Sequence, residues 1–102
     1  MIDSSSGGGK PWLLDKVYVT KNGLVFRAHP PTKVVNNGQT VTWDARGRKL
    51  RLTPQSEFSK IDQVADDVVT AVIMTSEPYF EYEMTCDDDP VQGNSPPVII
   101  IE

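Results

Sequence analysis

Gln39-Thr40-Val41-Thr42-Trp43 and Tyr79-Phe80-Glu81-Tyr82-Glu83-Met84-Thr85-Cys86 decide the fold class of this chain. In the first stretch Val41 and Trp43 share one face, and Thr40 and Thr42 the other. In the second, Phe80, Tyr82, Met84 and Cys86 face one way, while Glu81, Glu83 and Thr85 face the other. A period of two, apolar on one side and polar on the other, marks a strand covered on one face and wet on the other.

Working outward, Val17-Tyr18-Val19-Thr20 is β-branched and aromatic, and Lys21-Asn22-Gly23 supplies a turn. Leu24 to Ala28 reads as a second strand. It ends before Pro30-Pro31, whose missing N–H groups bar them from a central ladder. Lys33-Val34-Val35 is extended, and Asn36-Asn37-Gly38 turns because Asn and Gly accept positive φ. Past Gly47, Leu50 and Leu52 point to the core while Lys49, Arg51 and Thr53 point to water. Ile61, Val64, Ala65, Val68, Val69 and Val72 recur at helical spacing, which predicts a short helix over about Ser59 to Asp66. A strand from about Val68 to Thr75 follows. Glu77-Pro78 breaks the chain, and Val98-Ile99-Ile100-Ile101 closes it as a strand expected to be buried on both sides. The sum is an all-β Greek-key sandwich of about seven to eight short strands with one short helix.

The chain has 102 residues and one compositional regime, which fits a single domain. Residues 1–11, rich in Ser and Gly, read as a flexible leader, and 12–102 as the domain. Ten basic residues against fourteen acidic ones leave a formal charge of -4. That balance disfavours indiscriminate binding to nucleic acid or anionic lipid. No apolar run reaches the roughly 18–20 residues that cross a bilayer. Met1, a lone thiol and no signal-peptide pattern lead to an expectation of a cytoplasmic protein. A secreted or periplasmic parent with its signal removed is the competing account. With one histidine, no Gly-rich phosphate loop and no G-x-S-x-G elbow, a catalytic constellation is not expected, and neither is a cofactor.

Two stretches taken together resemble the cupredoxins, the Greek-key sandwiches of blue-copper proteins. One is Lys33-Val34-Val35-Asn36-Asn37-Gly38-Gln39-Thr40-Val41-Thr42-Trp43. The other is Tyr82-Glu83-Met84-Thr85-Cys86 with the loop and aliphatic strand that follow it. The resemblance spans Val17 to Glu102. It implies a centre of two imidazoles, one thiolate and a weak axial donor. Cys86 falls where the thiolate belongs. Arg48 and Lys49 stand where the first histidine is expected, and Asp87, Asp88 and Asp89 where the second is. Val91, Gln92, Gly93 and Asn94 occupy the stretch of the axial methionine. The resemblance therefore implies the scaffold without its copper.

Two charged segments remain as candidates for function. The basic hairpin has Arg46, Arg48, Lys49 and Arg51, and the acidic loop has Asp87, Asp88 and Asp89. The resemblance puts both at the ligand end of the sandwich. They are expected to form a contact surface for a protein partner or a second copy, with Arg48 or Lys49 pairing an aspartate across the vacated site. The plainer reading is a solvated edge, since charge discourages unwanted strand pairing. An alternative site joins His29 and Cys86 with Asp87 or Asp89 around a cation such as zinc, which accepts N, S and O donors. Against it, free cysteine is most often a small buried hydrophobe. Trp43 and Phe26 are expected in the core, Tyr79 at the surface, and Trp12 as a pin for the N-terminal arm.

Overall fold

Eleven strands and no helix make up the part of the chain, residues 16–92 and 95–102, that the computed structural model describes. The leader and Trp12 lie outside those residues. Strand β1 (Lys16–Asn22) turns through Gly23, at φ 67°, into antiparallel β2 (Val25–His29). After β3 (Thr32–Val35), β4 (Thr40–Asp44) runs parallel to β1. Beyond the short β5 (Leu50–Leu52) come β6 (Phe58–Ala65) and β7 (Val68–Ile73), an antiparallel hairpin attached to β4 through β7. The first layer is thus five-stranded, in the order β2-β1-β4-β7-β6.

The second layer is built around one extended run, residues 79–86. Its first half, β8 (Tyr79–Glu81), pairs with β11 (Val98–Ile101), which lies parallel to β3. Its second half, β9 (Met84–Cys86), pairs with β5 and with β10 (Asp89–Pro90). Between the halves, the Tyr82 amide donates to the Pro97 carbonyl at 3.1 Å. On the other side the Thr53 amide donates to the Glu83 carbonyl at 3.0 Å. One chain segment therefore ties the two three-stranded sheets together.

The alternation read from sequence determines what is buried. Val17, Val19, Phe26, Ala28, Val41, Trp43, Val69, Ala71 and Ile73 come inward from the first layer. Val35, Leu50, Leu52, Phe80, Tyr82, Met84, Cys86 and Ile99 come inward from the second. Trp43 sits at the centre, edge-on to both Phe58 and Tyr82. The result is an all-β sandwich, as the sequence implies, with eleven strands instead of seven or eight: the run 79–86 divides in two, and β6 and β10 are added.

Two expectations are corrected. Residues 59–66 are not helical: Phe58–Ala65 is β6, bonded to β7. The helical spacing leaned on Val64 and Ala65, yet both are exposed, Val64 by 62%. β6 lies at the border of its sheet, where most of its side chains face water and no buried face enforces alternation. It also carries two bulges, at Ser59 and Val64, which disturb the period of two. The closing strand is not buried on both sides either, because Ile100 is 37% exposed.

Candidate interaction surfaces

The basic hairpin and the acidic loop meet. Cys86 and Asp89 are partners across the β9–β10 hairpin, so its loop is the pair Asp87-Asp88, with φ of 50° and 70°. Two left-handed residues in a two-residue loop make a type I′ turn, the form whose twist suits antiparallel strands, and Asp is among the residues that accept it. The turn is tied to the neighbouring loop from both directions. The Asp87 amide donates to the Lys49 carbonyl at 2.8 Å, and the Lys49 amide donates to Asp87 Oδ1 at 3.0 Å.

Side chains follow the backbone. Arg48 Nη1 lies 3.2 Å from Asp87 Oδ2, and Lys49 Nζ 3.0 Å from Asp88 Oδ1. The pairing foreseen for one of these cations is therefore made by both. Arg51 Nη2 reaches Asp66 Oδ1 at 2.7 Å, and its Nη1 donates to the Leu50 and Asp66 carbonyls. Arg46 departs from the group: its guanidinium stacks 4.4 Å over the Tyr18 ring. These exposed ion pairs contribute about 0–1 kcal/mol each. Their larger effect is on charge: Arg48, Lys49 and Arg51 are matched within the chain, which leaves less of this end to offer a partner.

The cation site is not assembled. Phe26 and Ala28 turn inward on β2, so His29 points outward, opposite Tyr18 on the solvent face of the first layer. Cys86 points into the core. Burial pushes its thiol up to about 11, helped by the Asp87 carboxylate, opposed by the Arg48 guanidinium, and helped further by Asp89. It is a thiol, not a thiolate, at neutral pH. Among the described residues no three His, Cys, Asp or Glu side chains are placed to hold a metal ion, so His29, Cys86, Asp87 and Asp89 do not converge.

A cavity of about 210 Å³ opens beside Met84, Pro90, Val91 and Pro96. The ionisable residues among those lining it are Glu83 and Tyr82. Burial pushes the Tyr82 phenol up to about 12, against the lowering effect of its hydrogen bond with Trp43. A proton donor so reluctant to ionise makes a poor partner for Glu83 in acid–base work near neutrality.

One surface was invisible in the linear sequence. Ile100 of β11 lies beside Val34 of β3 on one side and Tyr79 of β8 on the other. All three point to water, with exposures of 37%, 48% and 62%. The alternation puts Glu81 and Glu102 on the same face, while Lys33 turns inward and is buried. The three apolar residues are far apart in the chain, and only the strand order of the second layer brings them into one row. The exposure of Tyr79 alone was foreseen.

No protein-family profile matches the chain, and no curated protein matches it.

Proposed function

We propose that this chain is a non-enzymatic, copper-free, cupredoxin-like module that acts by self-assembly. The cupredoxin-like reading draws support from the Trp43 strand and the Tyr79–Cys86 run, which come from opposite layers and bond through their side chains, and from the closing strand beside that run. It is also supported by the charged segments, which converge at one end, where the resemblance puts a ligand site. The copper-free reading is supported by the one histidine, which faces away from the buried thiol.

The observation that carries the assembly reading is the row Val34–Ile100–Tyr79. Single exposed apolar side chains are ordinary, whereas a contiguous row across three strands supports a reading as a contact surface. The self-matched charges around Arg48 and Asp87 shift the expected surface from the charged end to this sheet face. The test is sedimentation velocity from micromolar to millimolar protein. Wild type should gain mass with concentration, while a Tyr79→Ser/Ile100→Asp double variant, folded by circular dichroism, should remain a monomer. A wild-type protein that stays monomeric throughout that range overturns the reading.

A further inference from the structure

The assembly reading leaves open which surface of a second copy covers the row, and the outward side chains of the first layer answer it. Lys16, Tyr18 and Thr20 alternate outward on β1, and Arg27 and His29 on β2. Tyr18 lies between His29 and Asp44 in register, and Arg27 lies one step along, opposite Thr20. The Tyr18 ring carries two cations: the Arg46 guanidinium at 4.4 Å and the Lys16 ammonium at 5.2 Å. Lys16 also lies 3.5 Å from Asp44, the one carboxylate in this group among the described residues. With Lys16 and Arg46 over the Tyr18 ring and Arg27 outward on the neighbouring strand, this outer face is basic, although the chain as a whole is acidic.

The opposite outer face has the complementary character. Thr32, Val34, Tyr79, Glu81, Val98 and Ile100 point outward from β3, β8 and β11, and none of them is a cation. Glu83 and Glu102 extend the same surface. An apolar row flanked by carboxylates on one side of the sandwich thus faces away from an aromatic-centred basic patch on the other.

We infer that the occupant of the Val34–Ile100–Tyr79 face is the Lys16–Tyr18–Arg27–Arg46 face of a second copy. Docked in this way, Tyr79 and Ile100 lie against the Tyr18 ring, and Glu81 and Glu102 meet Arg27 and Arg46. Because the two surfaces differ and lie on opposite sides of the molecule, the contact is head-to-tail, and each added copy presents a fresh face. Exposed charges steer and select such a contact, and salt screens it.

The inference rests on the assembly reading, and a mixing experiment separates the two. A Tyr79→Ser/Glu81→Lys variant disrupts the apolar–acidic face and keeps the basic one. An Arg27→Glu/Arg46→Glu variant does the reverse. In native mass spectrometry at low salt, wild type should give a ladder of dimer, trimer and larger species. Each variant alone should associate at least about tenfold more weakly. An equimolar mixture should form a one-to-one heterodimer and stop there, since only one complementary pair of faces survives. Tyr79→Ser and Arg27→Gln, which alter single solvent-facing side chains, repeat the test if either double variant fails to fold. A wild type that stops at dimer, or a mixture that stays monomeric, overturns head-to-tail docking while leaving self-assembly standing. A monomeric wild type overturns both.

Discussion

Trp43 Nε1 donates a hydrogen bond to the Tyr82 hydroxyl at 2.9 Å across the two layers, with both side chains buried. The rings stand edge-on, 5.4 Å apart. The bond satisfies the indole's single donor in a place water does not reach, so it fixes which strand positions face each other as well as holding the layers together. Tyr82→Phe leaves that donor without its partner. The variant should lose about 1–3 kcal/mol, read as a lower urea midpoint with an unchanged slope. An unchanged midpoint would mean that the bond contributes nothing to stability.

High pH should loosen the fold in two steps. Cys86 rises from 9.0 to about 11, and Tyr82 from 10.0 to about 12, chiefly because burial disfavours their anions. Above the ordinary value the unfolded chain gives up its proton while the folded chain keeps it, so the folded state binds more protons there. The stabilisation is complete below pH 9.0 and is lost as the pH climbs through about 11 for Cys86, and from 10.0 through about 12 for Tyr82. Urea midpoints measured up that range should fall, and Cys86→Ala should flatten the first part of the decline. A flat profile for the wild type would contradict the burial of both groups.

The turn Asp87-Asp88 discriminates between two reasons for its acidity. If Asp88 is there for its backbone, at φ 70°, then Asp88→Asn should change stability by less than about 1 kcal/mol, since Asn accepts the same conformation and the Lys49 pair is exposed. Asp88→Val should cost about 1–2 kcal/mol, because a β-branched side chain is strained there. Equal losses in the two variants would assign the role to charge instead.

Gln92 closes the open side of β2. Its amide donates to the Phe26 carbonyl at 2.8 Å, its Oε1 accepts from the Ala28 amide at 2.8 Å, and its Nε2 donates to the Ser95 carbonyl at 2.8 Å. Gln92→Ala removes the side-chain partners of two backbone groups and should cost about 1–3 kcal/mol. Hydrogen exchange at the Ala28 amide should accelerate before that of the central strands. Uniform acceleration throughout the chain would show that this corner does not open by itself.

Most of the architecture is readable wherever burial on one face imposes alternation. Val41 and Trp43, and the row from Phe80 to Cys86, point inward as their spacing dictates. The meeting of Arg48 and Lys49 with the aspartates was also legible, because opposite charges were expected at one end. β6 was not legible: Ile61 alone of its middle residues packs toward the core, so nothing in its sequence enforces a strand period. The opposed directions of His29 and Cys86 depend on which layer each strand joins, information that no local stretch contains. The tight hairpin at Asp87-Asp88 was not legible either, because three aspartates and a proline suit a loop as well as a turn followed by a two-residue strand.

The two kinks in β6 have a consequence for what the molecule does when crowded. Between Ser59 and Val64, only Lys60 to Gln63 keep an unbroken register with β7. That is too short a template for the six- or seven-residue segments that stack into cross-β fibrils, and Lys60 and Asp62 add charge to it. Among the described residues, the longest open border of the sheet is therefore a poor seed for amyloid.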